Sequence, residues 1–169
     1  IKSVEGRFEK IGKIKNKSKV ILDFAHTPDA LKTCLTNLKE QFPGQKISLV
    51  FGCGGNRDHD KRAKMGKIAD FFSDKIYLTD DNPRSENPSK IRKEIKKGIK
   101  KRNISEFPNR TKAISEAINQ LKTGEILLVA GKGHETTQEL GDRKIFFSGW
   151  AKKNSPGYRS SERKFWGGF

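Results

Sequence analysis

The chain has 169 residues, enough for one domain or slightly more with a sizeable core, and a formal net charge of +16. Its hydrophobic residues, 33% of the total, come in compact runs, which excludes a disordered chain, and no stretch approaches the roughly 18 apolar residues of a membrane span. Cys34 and Cys53 form no CxxC pair and have no metal-ligand spacing to His26, His59 or His134, so a reduced cytoplasmic protein without a metal site is expected; the excess charge favours anionic partners, with a solvated lysine-rich surface as the plainer explanation.

Residues 1–17 are polar and basic and read as a lead-in, with a short strand pair as one option. Val20 to Ala25 is a buried strand that runs into His26-Thr27-Pro28-Asp29. Thr27 suits a helix N-cap and Pro28 the first helical position. Leu31, Cys34, Leu35, Leu38 and Phe42 then recur at helical spacing, and Pro43-Gly44 stops the helix. The pattern repeats. The strand Ile47–Phe51 precedes the glycine-rich loop Gly52 to Asp58, and Met65, Ile68, Ala69 and Phe72 mark a second helix.

A third strand, Ile76 to Leu78, leads into Thr79-Asp80-Asp81-Asn82-Pro83-Arg84. Asn87-Pro88 repeats the cap-plus-proline signal, and Ile91, Ile95 and Ile99 line one face of an otherwise basic helix. A short strand is expected near Ile104 to Phe107, a helix through Ile114, Ala117, Ile118 and Leu121, and a buried strand from Ile126 to Ala130. Gly131-Lys132-Gly133-His134-Glu135 follows it. Lys144 to Phe147 reads as a last, edge strand, and Ser148 to Phe169 as an irregular basic and aromatic tail.

Continuous apolar strands alternating with amphipathic helices specify an α/β fold. The expectation is a three-layer, Rossmann-like, mostly parallel sheet with helices on both faces and an antiparallel edge strand. The expected division is a lead-in over 1–17, the domain over 18–148 and the tail over 149–169.

Ligands of open parallel sheets bind beyond the carboxyl ends of the strands. Four polar loops directly follow strands here, so one sheet edge should collect Asp23, His26, Arg57, Asp81, Arg84, Lys132, His134 and Glu135. The Asp81-to-Arg84 loop carries both charges within four residues, as recognition of a small zwitterion requires: a carboxylate accepts from an ammonium, and a guanidinium holds a carboxylate through two parallel bonds. Pro83 lowers the cost of ordering the loop. A solvated strand-to-helix turn is the plainer alternative. Other signatures fail. Gly52-Cys53-Gly54-Gly55 lacks GxGxxG spacing, Gly133 stands where a phosphate loop needs Ser or Thr, and His134 to Gln138 is HExxQ rather than HExxH.

The same loops carry a family resemblance. Asp23-Phe24-Ala25-His26-Thr27-Pro28-Asp29-Ala30-Leu31 resembles the DYAHTPDAL element of Mur ligases. Phe51 to Asp58 with Lys61-Arg62 and Met65-Gly66 is similar to their FGCGGDRD…KR…MG segment. Thr79 to Arg84 and Val129 to Glu135 complete the set, in order, over roughly Ser3 to Ser148. The resemblance is to the carboxyl-terminal domain of the diaminopimelate-adding branch. It implies ATP-dependent addition of meso-diaminopimelate to the UDP-N-acetylmuramoyl-dipeptide, UDP-N-acetylmuramoyl-L-alanyl-D-glutamate, in peptidoglycan synthesis. An acyl phosphate forms first and the incoming amine displaces phosphate.

By the resemblance, Asp81, Asn82, Pro83 and Arg84 hold the distal end of the amino acid, and Arg57 adds a grip on its carboxylate. Gly131 and Glu135 reach the ammonium end. Arg7, Asp23 and His26 lie on the nucleotide side. The chain has no GxxGKT-type loop, so the phosphates of ATP and Mg2+ are expected on a central domain not contained in it, and the chain alone should not catalyse the reaction. No catalytic or metal-binding residue is assigned within it. A nucleic-acid-binding module, suggested by the charge and by Tyr158, Phe165 and Trp166 among basic residues, is the alternative from another class. A folate-type or other amino-acid ligase domain is a third reading, against which the Asp81-to-Arg84 loop argues.

Overall fold

The computed structural model describes residues 9–13, 17–100, 103–133, 137–140 and 143–146; Arg7, His134, Glu135 and the tail from Ser148 lie outside the described residues. The main sheet contains β1 (Glu9–Lys13), β2 (Lys19–Asp23), β3 (Ile47–Phe51), β4 (Lys75–Thr79), β5 (Ile104–Phe107) and β6 (Ile126–Ala130), in the order β1-β2-β6-β3-β4-β5. All pairings from β2 to β5 are parallel, and β1 adds antiparallel to β2. The helices are α1 (Pro28–Gln41), α2 (Asp60–Phe72), α3 (Pro88–Lys96) and α4 (Arg110–Asn119).

Both central strands, β3 and β6, are buried at every position, as strands covered on two faces must be. Alternation divides their side chains between two cores. Ile47, Leu49, Phe51, Ile126, Leu128 and Ala130 pack with Leu31, Leu35 and Leu38 of α1, Met65 and Ala69 of α2, and Ile91 and Ile95 of α3. Val50, Tyr77, Leu127 and Val129 face the other way, against Ala113, Ile114 and Ala117 of α4. Three helices therefore cover one face and α4 the opposite one, the expected three layers.

The expected caps form. Thr27 accepts from the Ala30 amide and Asn87 from the Ser89 amide, each with proline in the first turn. Asn109 caps α4 in the same way, accepting from Lys112.

One expectation needs correction. The strand ending at Phe146 is not an edge of the main sheet. It is β8 (Arg143–Phe146), and it pairs antiparallel with β7 (Thr137–Leu140) in a separate two-stranded sheet. In that pairing Leu140 is opposite Arg143 and Thr137 is opposite Phe146. The antiparallel edge of the main sheet comes instead from β1, within the lead-in. Among the described residues, no helix is long and apolar enough to cross a membrane.

Candidate functional site

Because β2, β3, β4 and β6 run parallel, the loops after them meet at one edge. They enclose a cleft of about 450 Å³. Phe24, His26 and Thr27 line it from the first loop, Gly52, Cys53, Gly54 and Arg57 from the second, Asp81, Asn82 and Arg84 from the third, and Gly131 from the fourth. Lys61, in the first turn of α2, completes the wall. The cleft lies beyond the carboxyl ends of these strands, where open parallel sheets bind ligands; β6 stands between β2 and β3 and brings the fourth loop between the first and the second.

The loops after β3 and β4 are fitted to each other through backbone. A Cβ on Gly52 would stand 2.2 Å from the Thr79 carbonyl oxygen, and one on Gly55 would stand 1.9 Å from that of Pro83. The Gly55 amide donates to the Asn82 carbonyl at 2.8 Å. Arg84, in the left-handed region at φ 52°, sends Nη1 to the carbonyls of Gly55 at 2.9 Å and Asn82 at 3.4 Å. Its guanidinium thus both joins the loops and lines the cleft. Arg57 is exposed at the cleft wall.

Beneath these loops lies a buried ionic brace that sequence reasoning did not identify. Arg62 is fully buried on α2. It donates to both carboxylate oxygens of Glu86 at 2.9 Å, to Glu94 at 2.6 Å and to the Gly54 carbonyl at 3.2 Å. Glu86 also accepts from the Asn56 amide. The Arg62 hydrogen bonds are the main force holding the Glu86 carboxyl down to about 2, against a smaller opposing effect of burial. Arg92 forms a second brace, pairing with Asp80 and, at 2.6 Å, with Glu106. In sequence Arg62 stands out only as part of the family-like segment, with no role attached, and Arg92 looks like part of a solvated basic helix face.

Lys132, expected at this sheet edge but given no role there, lies beneath the cleft. Lys132 is 2% exposed, with Nζ 2.7 Å from Asn82 Oδ1 and 3.5 Å from Asp81 Oδ1. Asp81 is itself 7% exposed. The expected proximity of Asp81, Asn82, Arg84 and Gly131 is therefore observed, but Asp81 is met by a protein ammonium within the wall. Pro83 is buried behind the cleft.

On the first loop, the Asp23 carboxylate accepts from the Ala25 amide at 2.7 Å. Its carbonyl accepts from Gly131 at 3.0 Å and Gly133 at 3.3 Å, so Asp23 ties the first loop to the fourth. His26 is exposed, with Nδ1 2.9 Å from the Phe24 carbonyl and its ring edge-on to Phe24. Lys61 reaches across to donate to the His26 carbonyl at 3.3 Å. Arg7 and Glu135, the remaining expected site residues, lie outside the described residues. Chemically, the wall is suited to a small polar molecule with at least one anionic group.

An open, mostly parallel sheet with a basic cleft at the carboxyl ends of its strands defines an α/β ligand-binding domain. Comparison with known proteins makes the class specific. Residues 6–133 match the family model described as "Mur ligase, glutamate ligase domain", and the chain belongs to that family. It is 51% identical over 148 residues to the UDP-N-acetylmuramoyl-L-alanyl-D-glutamate–2,6-diaminopimelate ligase of Rickettsia bellii (strain RML369-C), covering 87% of this chain and 30% of that protein. A solved UDP-N-acetylmuramoyl-L-alanyl-D-glutamate–2,6-diaminopimelate ligase superposes with a TM-score of 0.73 at 37% identity, over 80% of this chain and 29% of the other. A folylpolyglutamate synthase from Thermotoga maritima superposes with a TM-score of 0.56 at 25% identity, over 76% of this chain and 28% of the other. The chain thus spans less than a third of the length of the curated relatives named here.

Proposed function

We propose that this domain recognises the amino-acid substrate of an ATP-dependent ligase that adds meso-diaminopimelate to UDP-N-acetylmuramoyl-L-alanyl-D-glutamate. The single observation that carries the reading is the arrangement of Arg57, Asn82 and Arg84 on one cleft wall, at the edge where an open parallel sheet binds ligands. The relatives named for this reaction, at about half identity across most of the chain, support it.

The distal carboxylate of the amino acid meets Arg57 and Arg84, and a guanidinium fork suits a carboxylate better than an ammonium does. L-Lysine lacks that carboxylate, so its binding leaves desolvated arginine donors unmatched, and that mismatch is the basis of discrimination. Glu135 and Gly131 take the ammonium end in this reading, and Arg7, Asp23 and His26 lie toward the nucleotide. Lys61 and His26 give the mouth of the cleft a basic, donor-rich character suited to a phosphate-bearing ligand. When bound, ATP supplies the phosphoryl group that activates the peptide carboxylate for amine attack. Among the described residues, no group of three or more His, Cys, Asp or Glu side chains is placed to hold a metal ion, so no step is assigned to magnesium on this domain.

The test is an NMR amide titration of the chain with meso-diaminopimelate, with L-lysine and an Arg84→Ala variant alongside. Saturable shifts confined to the loops around Arg57, Asp81 to Arg84 and Gly131, absent with lysine and reduced at least tenfold in affinity in the variant, are expected. Equal response to both amino acids would overturn the specificity reading.

A further inference from the structure

We infer that Lys132 is the positioning residue that makes this cleft accept a carboxylate: its ammonium fixes the direction of the Asn82 side-chain amide and balances the charge of Asp81. The inference rests on the substrate reading above and adds a residue to which no recognition role was given.

The chemistry of the contact decides the amide direction. A lysine ammonium has three donors and no acceptor. Its partner at 2.7 Å on Asn82 must therefore be the carbonyl oxygen Oδ1, and Nδ2 with its two N–H donors lies on the opposite side of the amide group. Asn82 lines the cleft, whereas Lys132 lies beneath it at 2% exposure. With the amide reversed, an ammonium would face an NH2 group, donor against donor, in a place almost closed to water. Lys132 thus removes the ambiguity that an asparagine otherwise has and makes Asn82 a hydrogen-bond donor toward a ligand.

The second effect is electrostatic. Asp81 contributes to the same wall, at 7% exposure. An uncompensated carboxylate there would repel a substrate carboxylate through a medium that screens poorly. Lys132 Nζ, 3.5 Å away, supplies the opposite charge from within the protein. The Asp81–Lys132 pair leaves the guanidinium groups of Arg57 and Arg84 and the Lys61 ammonium as the net charge facing the ligand. One side chain thereby sets both the hydrogen-bond polarity and the charge of the pocket floor without lining the cleft itself.

The experiment has two arms on the whole chain. In the ligand-free wild type, nuclear Overhauser contacts from the Asn82 side-chain NH2 are measured. Contacts to the Gly54 and Arg84 side of the cleft, with none to the Lys132 ε-methylene protons, are expected; strong contacts to those protons would overturn the amide direction. In the binding arm, meso-diaminopimelate is titrated into wild type, Lys132→Met and Lys132→Arg, with the backbone spectrum remote from the loops as the check of folding. A loss of at least tenfold in affinity is expected for Lys132→Met, with partial recovery in Lys132→Arg, which keeps a donor-only cation. The Asn82 NH2 resonance should shift on binding in wild type and not in Lys132→Met. A folded Lys132→Met that binds within twofold of wild type overturns the inference. If Lys132→Met does not fold, Lys132→Arg and the wild-type contacts decide it. Failure of the wild type to bind, with the amide contacts as expected, counts against the substrate reading and not against the amide direction.

Discussion

Gly55 and Pro83 approach so closely that a single added methyl group would stand 1.9 Å from the Pro83 carbonyl oxygen. Together with the Gly55-to-Asn82 hydrogen bond at 2.8 Å, this makes the loops after β3 and β4 one unit rather than two neighbours. The substitution Gly55→Ala must push the Asp81-to-Arg84 loop outward. The cost expected is about 1–3 kcal/mol, the usual range for overpacking a filled site. Urea denaturation would measure it, and the same variant should lose binding of meso-diaminopimelate because Arg84 and Asn82 move with the loop.

Arg62 should be one of the most sensitive positions in the domain. Removing one member of a buried ion-pair cluster typically costs about 3–5 kcal/mol, because the remaining charges lose their partner. Arg62→Met leaves Glu86 and Glu94 facing each other without their shared cation. A fall in denaturation midpoint of that size is expected, whereas Lys93→Met, at an exposed position of α3, should change stability little.

Acid should loosen the same region. The Glu86 carboxyl is held at about 2, chiefly by its hydrogen bonds to Arg62, while the ordinary value is 4.5. A depressed folded-state value means that Glu86 stabilises the fold fully above the unfolded value and loses that contribution as pH falls through the folded one. The affected window therefore runs from about pH 5 down to about pH 2. Glu94 is lowered in the same direction, first by Arg62, and adds to the slope. Denaturation midpoints of wild type and Glu86→Gln across this window test the point: the variant should be less stable at neutral pH and show a shallower decline.

Both cysteines should be poor nucleophiles in the folded protein. Burial pushes the Cys53 thiol up to about 12; Lys61 opposes this and Asp81 adds to it. Burial raises Cys34 further, with Asp23 contributing. Alkylation by iodoacetamide at pH 8, followed by peptide mass spectrometry, should be at least about 100-fold slower at both sites than in denaturant, since the thiolate is the reactive form. Rapid labelling of Cys53 in the native state would show that the cleft opens to its floor.

Much of this architecture was legible in the chain. Apolar runs such as Ile47 to Phe51 and Ile126 to Ala130 reveal fully buried strands, and Thr27-Pro28 and Asn87-Pro88 reveal helix starts, because these signals act over one to four residues. The rule that ligands bind beyond parallel strand ends then assigns four loops to one edge from the sequence alone. Only the tertiary structure decided which strands are neighbours: that β6 lies between β2 and β3, that β1 forms the antiparallel edge, and that β8 pairs with β7 instead. It also decided which cations are buried. Arg62 and Arg92 are written in the same alphabet as the solvated lysines around them, and Lys132 meets Asn82 from 50 residues away. Hydrophobic period and capping chemistry are local and can be read in order. Pairing of charges and strands depends on which distant segments the packed core brings within a few ångströms.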